Sequence, residues 1–234
     1  MQTEVQRPRA QPAFLKAIWA IVWKDLAVEL RSRELLSAML VFALLVILIF
    51  NFTITLAPEL RATVTPGVLW VTFAFAGTLG LNRSMAAEKD QGCLDGLLLA
   101  PLDRSAIYFG KALGNLGFML LVELIVLPIY SALYSINVFA PGLLLVVLLG
   151  SAGYAAVGTL LASMTVQART RDMLLPIVLF PIVFPLLLAA VHASSGFLQG
   201  LGMDEIWPWI NMLIAYDVIL SAAAFMLYNF VIEE

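Results

Sequence analysis

Between Leu35 and Ala57 the chain reads LLSAMLVFALLVILIFNFTITLA, without one charged residue. As an α-helix rising about 1.5 Å per residue, such a run crosses the roughly 30 Å hydrocarbon core of a bilayer. Five further apolar runs follow, so six spans are predicted, over 35–57, 64–82, 109–136, 141–165, 173–192 and 210–231. Composition agrees. The chain is 62% hydrophobic and 12% charged, against about 25% charged for a soluble domain. The expectation is an all-α integral membrane protein, a single transmembrane domain over residues 1–234.

The totals exclude some functions. A net charge of −3 argues against a strongly basic nucleic-acid binder. The one cysteine, Cys93, cannot form an intrachain disulfide, and no CxxC is present. No metal-ligand cluster and no catalytic set stand out. The N-terminal MQTEVQRPRAQPAF lacks an apolar signal core and a small-residue cleavage site, so the first span reads as retained.

Basic residues set the orientation. Of 13, Arg7, Arg9, Lys16, Lys24, Arg31 and Arg33 precede the first span. Arg83, Lys89, Arg104 and Lys111 lie between the second and third, and Arg169 and Arg171 between the fourth and fifth. An even span count puts all of these on one side and leaves only Arg61 on the other. The positive-inside rule predicts that side, with both termini, to be cytoplasmic. The opposite side has only short pieces. One of them carries Trp207 and Trp209, which read as an interfacial aromatic belt, with substrate contact as the alternative.

Residues 13–34 are too charged to cross. Leu15, Ile18, Trp19, Val22 and Leu26 recur at helical spacing, while Lys16, Ala20, Lys24, Ala27 and Arg31 line another face. This predicts a helix lying in the inner membrane interface, in contact with lipid through the first set. It is either an anchor or a lever on the first span.

The segment 83–106 is the long charged interruption on the cytoplasmic side. Within it Leu94, Leu97, Leu98 and Pro101 keep helical spacing, with Asp95, Gly96 and Asp103 off that face. A short amphipathic helix needs a partner for its apolar side. The acidic flanks disfavour the anionic leaflet, which leaves a groove on a soluble protein as the better partner and a resting loop as the alternative. No G-x-x-x-x-G-K-[ST] phosphate loop is present, so any ATP must be hydrolysed by another chain.

Polar groups interrupt the spans. Glu123 and Asp217 lie well inside the third and sixth, and no Lys or Arg lies deep enough to pair with them. Each is expected to be protonated or to face a polar cavity. His192 is the only histidine, near the outer end of the fifth span, and reads first as an interfacial polar group. Pro176, Pro181 and Pro185 predict bends in that span. Ser151, Ala155, Thr159 and Ser163 form a small-residue face on the fourth, suited to close helix packing. Ser151 and His192 would be the pair of an intramembrane hydrolase, but no third orienting group accompanies them.

The block TPGVLWVTFAFAGTLGLNRSMAAEKDQGCLDGLLLAPLDRSAIYFGK, residues 65–111, resembles the signature region of the heme exporter protein B (CcmB) family, permease subunits of the cytochrome c maturation system. The likeness rests on Pro66-Gly67-Val68-Leu69-Trp70-Val71, Arg83, Asp90 before GCL, the LLAPL run and Lys111. LLPIVLFPIVFPLLLAA also matches the family's fifth span. One departure is Asn82, where the family carries glutamate beside the arginine.

The resemblance implies a type 2 ABC-exporter permease in a bacterial inner membrane, a homodimer on two copies of an ATPase subunit. It implies that Arg83, Asp90, Leu94, Asp95, Leu97, Leu98, Pro101 and Leu102 belong to the coupling loop seated in the ATPase. It also implies a heme-handling membrane subunit and a heme chaperone as partners, with lipid around the spans. Heme would be cargo or partner-bound, with no covalently bound cofactor and ATP held by the partner subunit. Glu123, His192, Trp207 and Asp217 are the candidates for polar pathway or heme contacts. Heme export and release of a loaded chaperone both remain open, and a permease for a drug, lipid or polysaccharide is the competing reading.

Overall fold

The computed structural model describes residues 14–53, 58–90, 103–166, 168 and 170–231, without the side chains of 58–62 and 229–231. Among these residues the chain forms helices α1 (Phe14–Ser32), α2 (Glu34–Thr53), α3 (Pro58–Asp90), α4 (Arg104–Tyr134), α5 (Pro141–Thr165), α6 (Arg171–Gln199) and α7 (Met203–Val231). Each of α2 to α7 is long and apolar enough to cross a membrane. The protein is an all-α integral membrane protein.

Local chemistry sets the helix ends. α4 starts earlier than its hydropathy suggests because Asp103 caps it, its carboxylate accepting from the Ser105 N–H at 2.9 Å. It ends at Ser135, which adopts the left-handed conformation at φ 54°. α5 opens with Pro141 in its first turn, where the missing N–H costs no helical bond. α6 runs past His192 and stops at Gly200, φ 68°, where the Leu201 N–H returns to the Gly196 carbonyl at 2.9 Å. α3 continues through NRSMAAEKD, a stretch rich in helix formers that buries Met85 and Glu88. Pro176, Pro181 and Pro185 all lie inside α6, which remains one helix.

The corner between α1 and α2 is built tightly. Arg33 turns the chain at φ 56°, its N–H bonded to the Glu29 carbonyl at 2.6 Å. The Glu29 carboxylate then accepts from the Leu36 N–H at 2.9 Å, capping α2 from the preceding helix. Glu29 is buried by this role.

α5 is the centre of the bundle. It packs against α4, α6 and α7 and also meets α3. Its small-residue face is consumed inside this one chain: Ser151, Ala155 and Thr159 are buried. α2 packs against α3 and α4 and buries Leu35, Met39, Ala43 and Ile47, one residue per turn. Its outer residues, Val41, Leu45, Ile49 and Phe52, are exposed, as lipid-facing residues of a span should be. α1 lies on α4.

α1 buries a stripe beside the one that the sequence reading gives to lipid. Ala17, Ile18 and Ile21 pack inward with Asp25 and Glu29 along the same stripe, while Leu15 and Trp19 are 76% and 67% exposed. Only Ile18 of the expected apolar set is buried. Ion pairing decides this: the inward stripe ends in carboxylates that meet cations on neighbouring helices, and Leu15, Trp19 and Trp23 are left outward.

Candidate functional site

At one end of the bundle the last two turns of α3 are wired to their surroundings. Arg83 reaches Glu34 at the start of α2, 3.2 Å away. Lys89 donates to the Val166 carbonyl at the end of α5, at 2.9 Å. Asp90 meets Arg171 at the start of α6, at 3.4 Å. Beneath them lies a joint of four charges, buried at Lys111 and open at Lys24. Lys111 of α4, 2% exposed, places its Nζ 2.7 Å from Asp25 of α1 and against Glu88 of α3. Lys24 of α1 bridges the same two carboxylates, at 2.5 Å from Glu88 and 3.1 Å from Asp25. The joint is neutral, two cations against two anions, as a buried ionic group must be to persist.

Burial works against the Lys24 charge. The hydrogen bond to Glu88 and the charges of Asp25 and Glu88 outweigh it, so the Lys24 pKa is raised. A cavity of about 440 Å³ opens beside the joint, lined in part by Asp25, Glu29, Arg83, Glu88 and Lys111.

Of the expected coupling residues, the structure places Arg83 and Asp90 at this end, both on α3 and both ion-paired. Leu94, Asp95, Leu97, Leu98, Pro101 and Leu102 lie outside the described residues, as do Cys93 and the Arg61 side chain. Asp25, Glu88, Lys24 and the pairing of Lys111 were missed from sequence. The available signal was Ile18, Ile21, Asp25 and Glu29 at helical spacing, together with a lysine at the mouth of an apolar span.

Two carboxyls lie deeper. Glu123 of α4 accepts from the Ser151 hydroxyl of α5 at 2.5 Å and is 2% exposed. Asp217 of α7 packs on Gly153 of α5: a Cβ added there would stand 2.0 Å from Asp217 Oδ1. Glu123 Oε2 and Asp217 Oδ1 are buried without a hydrogen-bond partner among the described residues. The two residues flank α5 at different positions and share no partner. Other polar groups on α5 are satisfied: Thr159 accepts from Asn115 at 2.9 Å, and Tyr154 bonds Thr78 and the Ala74 carbonyl, each at 2.6 Å.

Toward the opposite end an apolar groove of about 410 Å³ runs between α3 and α6, lined by Trp70, Val71, Phe75, Phe180 and Phe184, with His192 at its rim. The Trp70 indole N–H donates to Ser194 at 3.0 Å, fixing that wall. His192 stacks on Trp209, ring centres 4.3 Å apart and 11° from parallel. Trp207 is exposed. Ser151 and His192 have separate partners, Glu123 and Trp209. Among the described residues no cluster of three metal-ligating side chains occurs.

Comparison with known proteins bears on this architecture. The chain is 28% identical over 209 residues to "Heme exporter protein B" of Escherichia coli (strain K12), covering 88% of this chain and 94% of that one. It is 27% identical over 212 residues to the protein of that name in Rhodobacter capsulatus, covering 88% and 96%. It is 26% identical over 197 residues to the one in Pseudomonas aeruginosa, covering 83% and 87%. The family model described as CcmB protein matches residues 16–232. With nearly its whole length matched, the chain belongs to the CcmB protein family.

Proposed function

We propose that this protein is the permease subunit of an ATP-driven transporter that serves heme delivery for cytochrome c assembly. It sits in the bacterial inner membrane with both termini cytoplasmic and has no catalytic role of its own. A partner ATPase, in two copies on a permease homodimer, hydrolyses the nucleotide. A heme-handling membrane subunit and a heme chaperone complete the assembly, and the work done is heme export or release of the loaded chaperone. The relatives' names supply the heme connection.

One observation carries the mechanical part: the foot of α3, just before residues 91–102, is bonded to α1, α2, α4, α6 and the end of α5. A push delivered to 91–102 by a closing ATPase dimer would therefore reach most of the bundle at once. Leu94, Asp95, Leu97, Leu98, Pro101 and Leu102 are assigned to the docking segment, with Arg83 and Asp90 as its mount.

The α3–α6 groove with His192 is the candidate heme contact, since a flat apolar ligand suits an aromatic-lined slot and imidazole is a common axial ligand of heme iron. Glu123, Asp217 and Trp207 remain candidates for a polar pathway. Replacing Leu97→Asp and Leu98→Asp together is expected to abolish co-purification of the ATPase while membrane insertion continues. Undiminished co-purification would defeat the docking assignment. Added heme should give a shifted Soret band that His192→Ala removes; an unchanged band in the variant would discard His192 as a ligand.

A further inference from the structure

We infer that Lys111, with Asp25 and Glu88, is a positioning joint that makes α1 move with the two helices bracketing residues 91–102. This rests on the ATP-driven reading above and goes beyond it, because it assigns the transmission to residues outside the docking segment.

The geometry is specific. α3 ends at Asp90 and α4 begins at Arg104, so these helices are the two stems of the 91–102 segment. Glu88 sits half a turn before the end of one stem, and Lys111 two turns into the other. Their side chains touch, closing the base of the segment. The same ammonium holds Asp25 of α1 at 2.7 Å, and Lys24 closes the ring from α1 to Glu88. α1 is seated hard at this place: a Cβ on Gly110 would stand 2.8 Å from Ile21 Cβ, so α1 and α4 approach as closely as glycine permits. From Asp25, one turn of α1 leads to Glu29, whose carboxylate caps α2. Movement of the stems thus passes through Lys111 to α1, and through Glu29 to the first span.

A buried ion cluster is a poor device for stability but a good one for register. Its partners must remain paired, because separating them strands a charge in a low-dielectric site. The Ile21–Gly110 contact seats α1 on α4 alone, whereas the joint holds three helices at one setting.

The test uses the complete complex. Lys111→Met with Glu88→Gln removes one charge of each sign, so no buried net charge is created. This double variant is expected to insert, to co-purify the ATPase within twofold of wild type and to hydrolyse ATP, yet to lower heme-loaded c-type cytochromes at least tenfold. Lys111→Arg, which keeps the charge, should recover output to within threefold of wild type. If the double variant does not accumulate, Lys111→Met with Asp25→Asn, which also removes one charge of each sign, carries the same expectation. Normal cytochrome output in either variant overturns the joint. So does loss of ATPase co-purification in parallel with output, which would make the cluster a simple folding element. Failure of the wild-type permease to bring down any ATPase would overturn instead the reading on which the joint rests.

Discussion

Ser151 is the hydrogen-bond partner that Glu123 has in the middle of the bundle. Its hydroxyl is worth more than its size suggests, because the carboxyl it serves cannot return to water. Ser151→Ala should cost roughly 1–3 kcal/mol, read as a lower thermal midpoint in detergent; an unchanged midpoint would mean the pair contributes nothing. Gly153→Ala should also destabilise, since its methyl meets Asp217 Oδ1, by about 1–3 kcal/mol for an overpacked site. Adding Asp217→Ala should restore most of that loss, and a double variant no better than the single would place the clash elsewhere. Lys24 gives a pH signature. Its pKa is raised above the ordinary 10.5, so its contribution is complete below that pH and disappears as pH climbs through the higher folded value. The alkaline fall in stability should therefore be shallower in Lys24→Met than in wild type. None of these pairings was legible in the sequence. Glu123 and Asp217 stand out as carboxyls in apolar runs, but which helix faces them depends on packing.

Helix count and order follow from the apolar runs, because a bilayer leaves a span of this kind little choice. The 141–165 span was predicted to its ends, bounded by Pro141 and by loss of apolar periodicity after Thr165. α3 and α6 run past both predicted ends, and α4 and α7 past their first, because hydropathy marks the hydrocarbon while the helices continue beyond it. The inward stripe of α1 was not assigned, for a related reason. Its apolar residues occur on two sides, and only the carboxylates show which side meets other helices. Lys111 and Asp25 are 86 residues apart, and nothing local records that they meet. At this scale the Glu29 cap makes a prediction. Glu29→Ala should cost about 1 kcal/mol as a lost helix cap and speed hydrogen exchange at the Leu36 amide; unchanged exchange there would remove the cap from the account.

Among the described residues the ion pairs gather at one end of the bundle, and the apolar groove opens toward the other. That polarity suits a machine pushed from one side and loaded near the other. Family membership and span number were readable in the 65–111 block and the apolar runs. The wiring of the α3 foot was not, since it joins helices whose adjacency only the fold creates. The central claim is that force enters through residues 91–102 from an ATPase on the cytoplasmic face. A photo-cross-linking amino acid at Leu97, activated in native membranes, tests it most directly. The account predicts a covalent adduct with the ATPase subunit whose yield changes on adding ATP. Adducts with lipid alone, or with a protein on the outer face, would contradict it.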